Sequence, residues 1–270
     1  MRIYSSCREL MSEMARELNS YGAIVKPKTY QNKVIDGIDE FQTKEIICQQ
    51  YALTNMPDPD FLFIYTHTKE WANAEFEERV SGKQINPGKA WELNKDMWEQ
   101  FLVGKMFRKF DYTYSERINN RSKYNDKRDL TCLGVIIELL KDDPDTRKAV
   151  LPIFGGTIDP YYGDLNYTDI YHYDGSGRIP CSMYYDFLIR DNNHGPQLNI
   201  CYHQRSADFV GHFGDDVYLA WMLMNYVADK VGVNPGYLFH TIDSLHVYKK
   251  DWDILSNSID DYGDKVSYNN

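Results

Sequence analysis

Cys181 is the cysteine whose surroundings best fit a reactive thiol. It follows Pro180 after a glycine-rich approach at 174–178, and it begins a β-prone aromatic run at 181–190. A nucleophilic thiol needs a lowered pKa, and a nearby cation lowers it. Arg205 follows the next β-prone run, so pairing of the two runs would bring its charge towards Cys181. The alternative for Cys181 is a small buried core residue.

Two further clusters carry groups that bind anions or transfer protons. One, at 142–148, joins acidic residues to Arg147 and Lys148, and the other, at 240–248, contains two histidines. Taken alone, the first is typical of an ordinary helix end and the second of an ordinary strand. Their order along the chain, on either side of the candidate thiol, favours a shared site instead.

The composition excludes several classes of protein. The 270 residues include 30 basic and 40 acidic side chains, a formal net charge of −10, so no nucleic-acid partner is expected. Five cysteines without a close pair favour neither a disulfide framework nor a metal site. No apolar run approaches a membrane span and no leader pattern opens the chain, so we expect a cytoplasmic protein. Without repeats or linkers, 1–270 is predicted to be a single domain.

The hydrophobic pattern predicts helices in the first part of the chain and a strand pair in the second. A capping box at Ser6 and a periodic apolar pattern predict a first helix at 7–21. Periodic or helix-prone composition predicts further helices at 68–82, 91–108, 129–140 and 217–231. Apolar and alternating runs predict strands at 149–154, 181–190 and 198–203, the last two joined as a hairpin. Helices, then strands, then one more long helix are typical of an α+β fold.

Five motifs in the C-terminal half occur in an order that resembles the thymidylate synthase superfamily. They are DPDTRK at 143–148, IPC at 179–181, YDFLIRD at 185–191, QRSADFVGHFGDD at 204–216 and HTIDSLHVY at 240–248. QRSAD with H-x-Y downstream of P-C is a specific combination, whereas the N-terminal half matches weakly. The resemblance implies a thymidylate synthase-like fold, with a mixed β-sheet covered by helices and one sheet face used for dimerisation.

The resemblance also implies binding residues around Cys181 as the nucleophile. A nucleotide monophosphate is a dianion that favours bidentate cations, which suits an arginine near the thiol. The implied sets are Arg205 and Ser206 for the phosphate, with Arg147 and Lys148 donated across a homodimer; His246 and Tyr248 for the sugar hydroxyl; and Asp208 and His212 for the folate.

Asp216 is the departure that bears on the substrate. Thymidylate synthases have an asparagine eight residues after the aspartate of QRSAD, and its amide recognises uracil. Counting eight from Asp208 gives Asp216, and the same replacement marks the deoxycytidylate hydroxymethylase branch. A carboxyl oxygen can accept from N4 of cytosine while the other oxygen shares a proton with N3. The alternatives are that Asp216 caps the following helix, or that Asp215 is the residue that reads the base.

Three family positions match less well in the N-terminal half. Lys28 stands where the family has a phosphate-binding arginine, and Tyr114 resembles the tyrosine near the thiol. The catalytic glutamate is expected before a tryptophan on an early helix, and Glu70 is the nearest match. Glu75 and Glu77 remain alternatives for that role.

The resemblance therefore implies a dCMP 5-hydroxymethylase that uses 5,10-methylenetetrahydrofolate. Cys181 would add to C6 of the pyrimidine, Asp216 would stabilise charge on the ring, and Glu70 with Tyr114 would move protons before water completes the hydroxymethyl group. The open alternatives are a thymidylate synthase, a 5-methylating relative, or an enzyme that takes dUMP or CMP. A catalytically inactive nucleotide- or RNA-binding homologue is the non-enzyme alternative.

Overall fold

The computed structural model describes most of the chain. The described residues are 1–30, 33–65, 68–104, 106, 108–124, 128–155, 157–158, 165–166, 169, 177–192 and 195–256. Among them, no helix is long and apolar enough to cross a membrane.

A mixed eight-stranded sheet forms the centre of the molecule. Six strands lie in the order β1 (Arg2–Tyr4), β5 (Thr43–Leu53), β14 (Asn234–Tyr248), β12 (Gly195–Gln204), β11 (Ser182–Asn192) and β8 (Val150–Pro152). Two short strands extend it: β2 (Ala23–Val25) pairs with β5, and β13 (Ala207–Asp208) pairs with β14. The β11–β12 and β5–β14 pairs are antiparallel, whereas β12 and β14 are parallel.

Within the described ranges, three two-stranded antiparallel sheets lie apart from this sheet. They are β3 (Thr29–Tyr30) with β4 (Lys33–Val34), β6 (Arg121–Tyr124) with β7 (Arg128–Thr131), and β9 (Thr157–Ile158) with β10 (Leu165–Asn166).

Helices cover one face of the sheet. They are α1 (Cys7–Tyr21), α2 (Lys69–Val80), α3 (Lys95–Trp98), α4 (Tyr114–Ile118), α5 (Cys132–Asp142), α6 (Phe213–Val231) and α7 (Trp252–Ser256). Short 3₁₀ segments connect them at Asp39–Phe41, Pro59–Phe63, Ala90–Asn94, Glu99–Phe101 and Lys249–Asp251. Alternate residues of the long strands point into this layer, and a buried row of paired residues crosses four strands: Tyr51, His240, Tyr202 and Tyr185.

The opposite face of the sheet is not covered by helices of the described chain. It carries polar and aromatic side chains, including Tyr184, which is 38% exposed, and a hydrogen-bonded pair of His203 and Asp243 at 3.0 Å. This is the face that the family resemblance assigns to dimerisation.

The α+β prediction is confirmed, and several predicted elements occur where expected. The first helix begins after Ser6, whose hydroxyl accepts from the Glu9 amide at 3.1 Å. The hairpin of β11 and β12, the helix at 69–80 and the long helix before Gly232 also lie as predicted.

Two helix predictions were wrong in extent. Only the first part of 91–108 is helical, in three short pieces that end at Phe101. Beyond it, Gly104 has a φ of 87°, and Val103 pairs with Lys109 through a backbone hydrogen bond of 2.7 Å. The helix expected from 129 begins only at Cys132, because 128–131 form a strand.

The long helix begins four residues earlier than predicted. Its first residue is Phe213, so Asp216 lies inside the first turn, where its backbone amide donates to the carbonyl of His212 at 2.9 Å. Asp216 is therefore not the helix cap, and the alternative interpretation of this residue as a cap is wrong.

Candidate active site

A cavity of about 440 Å³ lies where the ends of β11, β12 and β14 meet α2 and the first turn of α6. It brings together nine of the thirteen residues that the sequence suggested for the site. These are Tyr114, Cys181, Arg205, Ser206, Asp208, His212, Asp216, His246 and Tyr248. Residues more than 130 positions apart in the chain thus share one solvent-accessible space.

Cys181 and Arg205 lie side by side at one end of the cavity. The Sγ atom of Cys181 is 3.9 Å from Nη2 of Arg205, and the Arg205 amide donates to the Cys181 carbonyl at 2.9 Å. The guanidinium also donates to two main-chain carbonyls, those of Pro180 at 2.8 Å and Ile179 at 2.9 Å. The β11–β12 hairpin and the main chain before it therefore hold this arginine in place beside the thiol.

The environment of Cys181 balances burial against positive charge. Burial raises the pKa of the thiol, while the guanidinium of Arg205 opposes that shift and nearby Asp216 reinforces it. The thiol is therefore mainly protonated before a substrate binds. Release of the thiolate therefore needs a group that accepts its proton, with the nearby guanidinium stabilising the negative charge.

Asp216 lines the same cavity. Its Oδ2 accepts a hydrogen bond of 2.6 Å from the Gln204 amide nitrogen. Burial raises the pKa of Asp216 to about 6, against lowering effects of His212 and of the Gln204 hydrogen bond. A carboxyl group with this pKa can hold or give up its proton near neutral pH, which suits recognition of a base edge.

The first turn of α6 approaches the 3₁₀ segment Pro59–Phe63 closely. A Cβ atom on Gly214 would collide with the carbonyl of Leu62. This close approach leaves no room for a side chain at position 214.

Asp208 and His212 lie on the approach to α6. Oδ1 of Asp208 accepts from the Val210 amide at 3.2 Å. His212 has its Nδ1 3.7 Å from an Asp215 carboxylate oxygen. Burial disfavours the charged form of His212, but Asp215 outweighs that effect and the pKa of His212 is raised.

His246 and Tyr248 line the cavity at the end of β14. Their rings lie 5.2 Å apart, and the Tyr30 ring contacts that of Tyr248 at 5.6 Å. Burial raises the pKa of Tyr248, so its hydroxyl remains a neutral donor and acceptor. Such hydroxyl and imidazole groups can bind a sugar hydroxyl.

Glu75, and not Glu70, is the glutamate that faces the cavity. Glu70 is exposed on the first turn of α2 and does not line the cavity, and Glu77 is also exposed. Glu75 lines it and forms a buried ion pair of 3.0 Å with Arg79. The helical period explains the correction, because Trp71, Glu75 and Arg79 are spaced four apart and therefore share one face of α2.

Tyr114 links α4 to the start of β11. Its hydroxyl accepts from the Ser182 amide at 3.4 Å, and the Arg79 guanidinium lies 4.2 Å from its ring centroid. Burial raises the pKa of Tyr114 well above its usual value, so the hydroxyl stays protonated. This placement puts a neutral proton donor next to the residue that follows Cys181.

Three suggested cations do not line the cavity. Lys28 is exposed, although the following residues Thr29 and Tyr30 do line it. Arg147 and Lys148, just after α5, are also exposed. For Arg147 and Lys148 the resemblance implies a role in a neighbouring subunit, so their position outside this cavity is compatible with that expectation. For Lys28 the cavity offers no contact in the present arrangement.

Arg178 is a cavity residue that the sequence interpretation missed. It is 6% exposed, and its guanidinium lies 4.6 Å from the Phe101 ring centroid and 5.3 Å from that of Tyr112. The Arg178 charge also acts against the rise in the pKa of Cys181. Its position three residues before the thiol was the available signal.

The cavity also has an aromatic wall that suits a flat, partly polar ring system. The rings of Trp71 and Trp98 stack at 5.8 Å with an interplanar angle of 8°, and Trp91 and Phe110 also line the cavity. Such indole surfaces bind planar heterocycles. With the Asp208 carboxylate in the same space, the residues present fit a reduced folate.

Comparison with known proteins agrees with these observations. The family model "Thymidylate synthase" matches residues 84–261, more than half of the chain. A Methanosarcina mazei protein named "Putative thymidylate synthase" is 30% identical over 172 residues, 63% of this chain and 69% of that protein. A deoxyuridylate hydroxymethyltransferase of Bacillus phage SP01 is 31% identical over 181 residues, 65% of this chain but only 40% of the phage protein.

A solved structure shows the same fold. Thermostable thymidylate synthase A from Bacillus subtilis superposes with a TM-score of 0.67 over 93% of this chain and 83% of its own, at 16% sequence identity. The matched motifs, the shared cavity and the family model lead to one conclusion. This chain belongs to the thymidylate synthase family, whose members transfer one-carbon units to pyrimidine nucleotides.

Proposed function

We propose that this protein is a dCMP 5-hydroxymethylase that transfers a one-carbon unit from 5,10-methylenetetrahydrofolate to C5 of the base. The observation that carries the proposal is the buried carboxyl group of Asp216, which lines the same cavity as Cys181 and Arg205. Its place in the sequence is that of the base-reading residue in the family.

The hydrogen-bonding edge of cytosine favours a carboxylic acid at this position. Cytosine presents an N4 donor and an N3 acceptor, so its complement is an acceptor next to a donor. A protonated carboxyl group offers both, and a pKa of about 6 for Asp216 leaves the proton available at neutral pH. As the ring gains electrons, a proton shared between Asp216 and N3 stabilises the charge that develops there.

The remaining cavity groups suit a nucleoside monophosphate. Arg205 and Ser206 are proposed to bind the phosphate, and His246 and Tyr248 the sugar hydroxyl, because all four line the cavity. We propose that Arg147 and Lys148 of a second copy complete the phosphate site. Charge-assisted bonds from several cations would hold the dianion while its base reaches Cys181.

The first chemical step is addition of the Cys181 thiolate to C6 of cytosine. A sulfur–carbon bond forms, and the electrons of the C5–C6 double bond move into the ring, where Asp216 and its proton stabilise them. C5 becomes nucleophilic in this way. Bound folate supplies a one-carbon unit at the oxidation level of formaldehyde.

Glu75 and Tyr114 are the groups proposed to move protons around C5. Burial raises the pKa of Glu75, while its partner Arg79 lowers it, so this carboxyl is suited to exchange a proton with water or substrate. C5 would form a bond to the one-carbon unit of the folate, the C5 proton would leave, and the bond from that carbon to the folate nitrogen would break as tetrahydrofolate leaves protonated. The carbon attached to C5 would then be an exocyclic methylene. Hydroxide derived from water adds to it, the C5–C6 double bond re-forms, and the sulfur–carbon bond to Cys181 breaks.

The second candidate is the corresponding reaction on dUMP. It is favoured by the similarity to the phage deoxyuridylate hydroxymethyltransferase. A carboxylic acid whose donor and acceptor oxygens are exchanged would match uracil, which presents an N3 donor and an O4 acceptor. Hydride transfer in place of hydration, giving a methyl product, is the other outcome to be tested.

The test is mass spectrometry of nucleotides after the purified protein is incubated with methylenetetrahydrofolate and equal amounts of dCMP, dUMP and CMP. A dCMP product heavier by one CH₂O unit is expected. A product from dUMP or CMP instead, or a methylated product, would overturn the substrate or the last step of the proposal. The Cys181→Ala variant is the matched control and should give no product.

A further inference from the structure

A chain of buried hydrogen bonds leads from Asp216 along the helix-covered face of the sheet to β5. The Gln204 amide nitrogen donates to Oδ2 of Asp216 at 2.6 Å, and its oxygen pairs with Nε2 of His240 at 3.1 Å. Nδ1 of His240 in turn pairs with the Tyr51 hydroxyl at 2.8 Å. Gln204, His240 and Tyr51 are each no more than 1% exposed. We call these three residues the relay.

The chemistry of the relay fixes the direction of each bond. Burial lowers the pKa of His240 to about 3, so its ring is neutral and carries one N–H. The amide oxygen of Gln204 can only accept, so the hydrogen of His240 is on Nε2. Nδ1 must then accept from the Tyr51 hydroxyl. Every donor points towards Asp216, and the nitrogen end of Gln204 faces its carboxyl group.

The packing around His240 keeps this arrangement in place. Its ring stacks on Tyr202 at 4.4 Å and 16°, and it meets the Tyr51 ring edge-on at 5.3 Å. The strand register reinforces these contacts, because Tyr51 and Tyr202 are the direct cross-strand neighbours of His240. Rotation of the imidazole would break both hydrogen bonds inside a closely packed core.

The relay gives the two oxygens of Asp216 different roles. Oδ2 is an acceptor for Gln204, whereas Oδ1 has no hydrogen-bond partner within the described part of the chain. A proton on the carboxyl group is therefore directed to Oδ1. An asparagine has a built-in order of donor and acceptor, but a carboxyl group is nearly symmetric and must receive that order from its neighbours.

We propose that Tyr51 and His240 are positioning residues that set base selectivity, because through Gln204 they decide which oxygen of Asp216 donates and which accepts. One order complements cytosine, and the reverse order complements uracil. This inference rests on the proposed role of Asp216 as the residue that reads the base. It concerns selectivity between the two bases and applies whichever base the enzyme prefers.

The test is the ratio of kcat/KM for dCMP to that for dUMP in Tyr51→Phe and His240→Phe. Tyr51→Phe removes one hydroxyl and leaves the ring, and His240→Phe keeps a stacking ring without nitrogens. We expect the ratio to move towards one by roughly tenfold in each variant, the scale of one lost directional hydrogen bond. kcat for the preferred base should change less than the ratio.

Tyr4→Phe is the matched control. Tyr4 is buried in the same aromatic cluster, with its ring 6.0 Å from that of Tyr51, and its hydroxyl makes no hydrogen bond to the relay among the described residues. Its selectivity should equal that of the wild type. Circular dichroism and thermal melting would identify a variant that fails to fold, in which case Tyr51→Phe, the smaller change, decides the matter.

The outcomes separate this inference from the proposed function. If the wild type prefers dUMP and the kcat/KM ratio still moves towards one in Tyr51→Phe, the role of the relay in selectivity is supported and the assignment of dCMP as the substrate is wrong. If a folded Tyr51→Phe and a folded His240→Phe both keep the wild-type ratio, the relay has no role in selectivity, even if dCMP is the substrate.

Discussion

The two sides of the cavity are held in different ways. On the nucleophile side, Arg205 is fixed next to Cys181 by main-chain carbonyls, so its orientation depends on the course of the backbone. On the base-reading side, Asp216 is fixed by the side chain of Gln204 and by the relay behind it. The orientation of Arg205 should therefore tolerate changes in neighbouring side chains. A single substitution in Gln204 or in the relay, in contrast, can change the hydrogen bonding of Asp216.

This difference indicates how the family can vary its substrate while keeping its chemistry. A thiol and a phosphate-binding arginine serve any pyrimidine monophosphate, since both bases react at C6 and carry the same phosphate. The base-reading side must distinguish one polar edge from another. Substitutions on the two sides should therefore have different signatures, which the following experiments test in order of decreasing effect.

Cys181→Ser should have the largest effect. Replacing the sulfur removes the nucleophile for either base, so turnover should fall by roughly a thousandfold or more while nucleotide affinity changes little. Steady-state kinetics and isothermal titration with dCMP measure the two quantities. A variant with near-normal turnover would contradict covalent catalysis at this residue.

Glu75→Gln should come next. Loss of a proton-transferring carboxyl group typically costs about a hundredfold in kcat, and glutamine still offers Arg79 an acceptor. Glu70→Gln is the matched control on the same helix, and its kcat should be unchanged because Glu70 is exposed outside the cavity. A large loss of kcat in Glu70→Gln, with none in Glu75→Gln, would instead identify Glu70 as the catalytic glutamate.

Subunit mixing tests whether the nucleophile side is completed by a second copy. Homodimers of Cys181→Ser, or of a variant with Arg147 and Lys148 both changed to Ala, should each be poorly active. An equal mixture should recover about a quarter of wild-type activity, because half of the dimers would then have one complete site. Failure of any mixture to exceed its components would contradict the shared phosphate site.

A smaller effect is expected in the number of protons that the enzyme takes up when it binds dCMP. The pKa of Asp216 is raised to about 6, so the free carboxyl is protonated at pH 5 and ionised at pH 8. Binding of cytosine to the protonated form should therefore take up almost no proton at pH 5 and close to one at pH 8.

Calorimetry in buffers of different ionisation enthalpy measures this uptake. The neighbouring charged groups are Arg79, His212 and Asp215, with the Cys181 thiol in the same cavity. Subtracting the uptake of Asp216→Asn under the same conditions removes their contribution and that of the phosphate. An equal uptake in both proteins would show that Asp216 does not titrate on binding.

The nucleophile side could be predicted from the sequence more fully than the base-reading side. Cys181 and Arg205 belong to local motifs at the ends of a hairpin, and the turn and the alternating strands predicted their pairing. Counting from Asp208 predicted Asp216 as a site residue, and Asp216 lines the cavity. The start of α6 was not predicted, and its first turn packs Gly214 against the distant Leu62, a contact that local sequence does not reveal.

The residues that were missed depend on long-range register. His240 looked like an ordinary strand histidine, and only its pairing with Tyr51, 189 residues away, gives it a role. Glu75 was one of the alternatives to Glu70, and the four-residue spacing of Trp71, Glu75 and Arg79 on α2 would have favoured it. The break in the helix expected at 91–108 follows from a turn at Gly104 and from tertiary packing of aromatic rings, which local composition does not reveal.

The most direct test of the central claim is a competition between dCMP and dUMP for the wild type and for Asp216→Asn. With methylenetetrahydrofolate present, the wild type should convert dCMP preferentially into a product heavier by one CH₂O unit. Asp216→Asn should lose that preference, because an amide has no acidic proton to share with N3 as the ring gains electrons. A wild type that prefers dUMP, or a substitution that leaves the preference for dCMP intact, would contradict the assignment of Asp216 as the residue that reads cytosine.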